Sequence, residues 1–181
     1  MRRRAVSAGV AGLGVLAGGL LLGGCYGYTT YPPAGGQLAS EDISGPPADE
    51  VMTAALRHAI DRFPPESGGP VAINLPRGVH DRAYRVIAWR VGEDAVPMSP
   101  RWAALPTYHV TRVWVRADRA EVDVLRPVEE LGPTPEPIVQ ALTVHLEGGL
   151  KSWRVTRVRE WVIGTDALPE PHHLGEDGPG E

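Results

Sequence analysis

Ala141-Leu142-Thr143-Val144-His145-Leu146-Glu147-Gly148-Gly149-Leu150-Lys151-Ser152-Trp153-Arg154-Val155 is the stretch that decides the fold. Apolar and polar residues alternate on both sides of a glycine pair, the pattern of two strands joined by a tight turn. With Gly148-Gly149 as the turn, Val144 faces Trp153 and Leu142 faces Val155. The reverse face then pairs Thr143 with Arg154 and His145 with Ser152. The last strand runs on through Arg157, Arg159 and Trp161 to about Ile163. Its apolar side becomes indistinct after Val155, so a bulge or strong twist is expected near Arg157.

Upstream lies a second pair of strands, Thr107 to Arg116 and Glu121 to Pro127. If Asp118-Arg119 turns the chain, Val115 meets Val122 and Val113 meets Val124. On the other face Arg116 meets Glu121 and Trp114 meets Asp123, so one face is apolar and the other carries an opposite-charge pair. Before these strands, Val51, Met52, Ala55, Leu56, Ala59, Ile60 and Phe63 recur at helical spacing. Asp49 or Ser44 can cap that helix, and Pro64-Pro65 ends it. Val71 to Leu75 reads as a short strand. Residues 81 to 91 admit helix or strand. Asp81 as cap and Gly92 as terminator favour the helix, with Ala83, Val86, Ile87 and Val91 inward. The loop from Gly92 to Pro106, with three prolines, is expected to cross the surface.

The fold expected is therefore α+β: one or two helices packed on a curved antiparallel sheet of about four to five strands. The chain has 181 residues, a one-domain length, with 43% hydrophobic and 22% charged residues. The order helix, strand, helix and two hairpins, with Trp153-Arg154-Val155 in the final strand, resembles the cone-shaped fold of the nuclear-transport-factor-like (cystatin-like) superfamily. That resemblance covers about residues 47 to 163. It implies a sheet and helices enclosing a pocket, catalytic in some members and ligand-binding or simply filled in others.

The N-terminus carries a different signal. Arg2, Arg3 and Arg4 precede an uncharged apolar run from Ala5 to Leu22, which ends in Leu22-Gly23-Gly24-Cys25. A basic start, an apolar stretch and small residues before a cut describe a secretory signal peptide. The segment resembles the bacterial lipoprotein signal, with Leu22, Gly24 and Cys25 filling the places of its lipobox. The resemblance implies that the Cys25 thiol receives a diacylglycerol, that residues 1–24 are removed, and that the new amino group is often acylated. Read as a membrane span, Ala5 to Leu22 is short and contains five glycines. Read as an ordinary thiol, Cys25 has no disulfide partner, because it is the single cysteine.

The domains expected are a signal peptide (1–24), a flexible tether (25–46), a globular domain (47–165) and a disordered tail (166–181). Removing the signal takes away three arginines and moves the formal net charge from −4 to −7. An acidic domain lacks the basic stripe that nucleic acid needs. The partner implied is a membrane, reached through lipid on Cys25, and the domain is expected to be a monomer. Tyr26, Tyr28 and Tyr31 in the tether can lie at headgroup level. Tyr26 follows the lipidated cysteine where an aspartate is absent. In lipoproteins of cells with two membranes, that implies release to the outer membrane.

Candidate chemistry is sparse. His109, Asp123 and His145 are the candidate titratable residues of the sheet. The register sets Asp123 and His145 opposite the valine rows and His109 on the parity of Val113, so no acid–base constellation is expected. His58 lies at the edge of the helix stripe. His172-His173 is adjacent and lacks a spaced partner for a metal. No catalytic, cofactor or metal residue is assigned, and no cofactor is implied. Trp114, Arg159 and Trp161 form a candidate contact surface, since Trp and Arg commonly anchor interfaces. Two function classes stay open: a non-catalytic binding or structural module at the cell envelope, and a cone-fold pocket enzyme or small-molecule binder.

Overall fold

The structure is a computed structural model that describes residues 28–33, 42–128 and 137–174. Cys25, the signal segment 1–24 and Tyr26 lie outside the described residues, and so do residues 175–181 of the tail.

The described chain is α+β. Its elements are β1 (Tyr28–Tyr31), α1 (Ala48–Arg62), β2 (Val71–Asn74), α2 (Asp81–Val91), β3 (Ala95–Pro97), β4 (Thr107–Arg116), β5 (Arg119–Pro127), β6 (Val139–Glu147) and β7 (Arg154–Glu160). The two helices cover one face of a seven-stranded mixed sheet, with six strands in the order β3-β2-β4-β5-β6-β7 and β1 pairing with β4 off this path. The sheet is larger than expected and is not wholly antiparallel. β2 pairs in parallel with both β3 and β4. The proline-rich crossing supplies β3 and one turn of 3-10 helix at Pro100–Trp102.

β1 is a second correction. Tyr28–Tyr31, read as tether, pairs antiparallel with the end of β4, Tyr28 opposite Arg116 and Tyr31 opposite Val113. The tetrapeptide Tyr-Thr-Thr-Tyr has high strand propensity. The edge of β4 beyond β2 offers unpaired backbone groups for it to satisfy. Thr29 is buried and Tyr31 packs on the core.

The core sits between α1 and the sheet. Val51, Met52, Ala55, Leu56 and Ala59 are buried against Val113, Val122, Val124, Leu142, Val144 and Leu146. The helix stripe therefore lies where its spacing puts it. The caps do not. Pro47 occupies the N-cap position without a side-chain bond. Ser44 instead accepts the His80 amide and donates to the Gly78 carbonyl, and Asp49 pairs with Arg90. In α2 the buried set is Tyr84, Ile87, Ala88 and Val91, while Val86 is exposed. Tyr84 turns inward because its hydroxyl has partners there: it donates to the Ile73 carbonyl and accepts from the Leu75 and Met98 amides. Burial pushes its pKa up to about 12.

Both hairpin registers differ from the expectation. The first turn is Ala117–Asp118, with Ala117 in the left-handed region at φ 53°. Val113 thus pairs with Val122, Trp114 with Glu121 and Arg116 with Arg119. The shift is two residues, so the faces survive. The second connection is a loop of residues 148–153, not a two-residue turn. Leu146 pairs with Val155 and Glu147 with Arg154, and Trp153 belongs to the loop. Each glycine has its own reason. An added Cβ on Gly148 would stand 2.7 Å from Cδ2 of Trp153, because the indole folds back over it. Gly149 has φ 93°, which glycine adopts without steric cost. The register shifts between His145 and Leu146, so Thr156 is the extra residue, next to the expected position.

The tail reading is corrected for the described residues 166–174. The Asn74 side chain donates to the Glu170 carbonyl and accepts the His172 amide. His172 reaches the Pro76 carbonyl, and its ring lies 5.2 Å from that of Tyr84. Leu174 packs on the core. The segment is a strap, held at both backbone and side chains.

Candidate functional site

The face of the sheet opposite the helices collects the polar side chains. Alternation puts Trp114 and Arg116 of β4, Glu121 and Asp123 of β5, and Thr143 and His145 of β6 on this side. Arg112 follows the same alternation and stands directly opposite Asp123, and a bulge between Val110 and Arg112 changes the face of the residues before it.

Two chains of hydrogen bonds run across the strands and meet at Arg112. In the first, Trp161 Nε1 donates to Thr143 Oγ1 at 3.0 Å, and Thr143 donates to Asp123 Oδ1 at 2.7 Å. Asp123 Oδ2 then accepts from Arg112 Nε at 2.5 Å. In the second, Arg157 donates to His145 Nε2 at 3.0 Å. Arginine can only donate, so Nε2 accepts and the ring proton sits on Nδ1. That atom lies 3.4 Å from Glu121, which in turn accepts from Arg112 at 2.9 Å. The hydrogen bond to Asp123, ahead of the one to Glu121, holds the Arg112 guanidinium above even its usual high pKa.

Of the residues singled out in the sequence, Arg159 and Trp161 come together: the guanidinium stacks 3.7 Å above the indole centroid. Trp161 remains 43% exposed, enough to present one indole face. Trp114 shares this side of the sheet but stands on β4, with β5 and β6 between. It is partly buried, with Arg116 5.1 Å from its ring and 5.5 Å from that of Tyr28. Arg112, Glu121 and Thr143 were missed. The Arg112–Asp123 pair is a cross-strand opposite-charge signal, but the expected register, two residues off, sets Trp114 against Asp123 in its place.

His109 is also placed differently. The bulge at Thr111 takes it off the face of Val113 and Val115, and it is 7% exposed. The Asn74 amide donates to its Nδ1 at 3.1 Å, and burial lowers its pKa to about 4. It is a neutral structural imidazole whose partner Leu125 stands two residues along β5 from Asp123, while His145 lies a further strand away, opposite Glu121. His58 is partly buried on α1. No group of three His, Cys, Asp or Glu is arranged for a metal ion among the described residues.

Outside the helix–sheet core, an open cleft of about 440 Å³ lies between α1 and the 148–153 loop. Glu50, Arg57, Arg90, Lys151 and Trp153 line it. Leu150 at the loop tip is 99% exposed. No helix among the described residues is long and apolar enough to cross a membrane.

The Glu121 and Asp123 carboxylates and the His145 ring are all engaged in the cross-strand hydrogen-bond network. An arginine-stacked, half-exposed tryptophan on a rigid sheet is the form of an interface anchor. Comparison with protein-family models, curated proteins and solved structures finds no match.

Proposed function

We propose that this is a lipid-anchored protein of the cell envelope whose domain works by contact and not by catalysis. The anchor is Cys25, placed by Leu22-Gly23-Gly24-Cys25 after a basic and then an apolar segment. In a cell with two membranes, the outer one is the destination. The observation that carries the contact reading is the Arg159–Trp161 stack, wired through Thr143 and Asp123 to Arg112. Such wiring fixes the indole before a partner arrives, which lowers the entropy lost on binding. A second reading, a small-molecule binder of the cone-fold kind, draws on the open cleft beside α1.

The test has two arms, both in the full chain. Cys25→Ala should remove the protein from the membrane fraction or leave it unprocessed. A photo-crosslinking residue in place of Trp161 should give a discrete adduct in intact cells, and the same residue in place of Leu168 should not. Adducts at neither position, together with saturable binding of a small metabolite lost in Arg57→Ala, would favour the second reading.

A further inference from the structure

A single exposed leucine is ordinary on a protein surface. Leu150 is not placed at random, however. β1 begins at Tyr28, three residues after Cys25, and an extended chain spans at most about 3.6 Å per residue. The Tyr28 end of the sheet therefore lies within roughly 11 Å of the Cys25 backbone. Tyr28 pairs with Arg116, the last residue before the Ala117–Asp118 turn. The 148–153 loop stacks on that turn: the Gly148 amide donates to the Asp118 carbonyl at 2.9 Å, and Gly149 approaches the Ala117 carbonyl. Neighbouring strands are about 4.8 Å apart, so Leu150 follows a strand end three places, or roughly 14 Å, across from Tyr28.

The end of the sheet nearest the anchor thus carries the fully exposed Leu150 and Tyr28, which is 48% exposed. Its charge also departs from that of the whole. Arg119, Lys151 and Arg154 stand there against Asp118 and Glu147, and Glu147 is paired with Arg154. A locally basic end on a net acidic domain suits anionic headgroups.

We propose that this end of the sheet is a lipid-docking surface, with Leu150 and Lys151 set into the headgroup layer of an anionic bilayer beside the acylated Cys25. The inference rests on the lipid-anchor reading. Apolar tips enter the headgroup boundary while basic side chains keep their charge in it. Docking gives the domain one orientation. The strands then point away from the bilayer, and the strap and the Trp161 indole stand at the distal end, since Trp161 bonds to Ala141 and Gly164 to Val139 at the start of β6.

Fluorescence quenching tests this on the full processed protein, reconstituted in phosphatidylcholine–phosphatidylglycerol vesicles bearing headgroup spin labels. Cys25 is the single native cysteine, so when it is acylated, Leu150→Cys or Leu168→Cys supplies the one free thiol for a polarity-sensitive dye. Both leucines are exposed, and Leu168 belongs to the distal strap, so either change should be tolerated. The expected result is a blue-shifted Leu150 dye quenched several-fold more than the Leu168 dye. Equal quenching on a protein that stays membrane-bound would overturn the docking surface and leave the anchor standing. A protein that washes off, with Cys25 itself open to the dye, overturns both.

Discussion

Gly148→Ala probes the loop on which the fold and the docking end both depend. The new methyl carbon would lie 2.7 Å from Cδ2, 2.8 Å from Cα and 2.9 Å from Cε3 of Trp153. The second of these atoms belongs to the backbone, so rotating the indole cannot relieve the overlap, and the loop must shift. Overpacking of this kind costs about 1–3 kcal/mol, offset by roughly 0.4–1 kcal/mol from the stiffer unfolded chain, for a net loss of about 1–2 kcal/mol. Denaturant melts in a double-mutant cycle with Trp153→Ala isolate the cause. Removing the indole takes away Cδ2 and Cε3, so Gly148→Ala should cost about 1 kcal/mol less in that background. Gly92→Ala, where nothing lies within 4 Å of the added carbon, should stay within about 0.5 kcal/mol. An equal cost in both backgrounds would mean that Trp153 does not fold over Gly148, and a two-residue Gly148-Gly149 turn would account for the data better.

The His109 ring gives a pH dependence. Its pKa in the fold is about 4, below the ~6.5 of the unfolded chain. As pH falls, the unfolded chain takes the proton first. The contribution is complete above pH ~6.5, is lost between there and pH ~4, and amounts to about 3 kcal/mol. His109→Gln should flatten the stability profile in that window, and an unchanged slope would contradict it. Tyr84→Phe leaves the Leu75 and Met98 amides and the Ile73 carbonyl without their shared partner, and should lower stability by about 1–3 kcal/mol in a thermal melt. Asn74→Ala should speed hydrogen exchange at the His172 amide, whose acceptor it removes. Unchanged protection there would mean that the strap is held by its other contacts, His172 with Pro76 and Tyr84, Leu174 on the core and the Arg77–Glu170 pair.

Much of the architecture is legible from periodicity. β4 spans the residues expected, as does the α2 helix, and the α1 stripe is buried as its spacing requires. What alternation could not reveal is where the chain departs from it. Two bulges, at Thr111 and Thr156, change which residues share a face. The first moves His109 out of the valine row, while the two-residue shift of the hairpin register brings Arg112 to Asp123. The loop misread has another origin: paired glycines signal a turn by their freedom, yet Gly148 is needed for space beneath the Trp153 indole, which no local propensity encodes. β1 and the strap escaped notice for a third reason. Each is short and polar, and each is fixed by long-range partners, Arg116 and Asn74, that lie far away in sequence.

The Arg159–Trp161 contact is the part of the candidate surface that adjacency in sequence reveals, because residues two apart on a strand share a face. Its support by Thr143 and Asp123 required the register of three strands at once.

The central claim is attachment through Cys25, and intact-mass spectrometry of the protein extracted from cell membranes tests it most directly. The account predicts a chain beginning at Cys25, heavier than its sequence by a diacylglycerol with or without a further acyl chain. A chain still carrying Met1 to Gly24, or one with an unmodified Cys25 thiol, would contradict it.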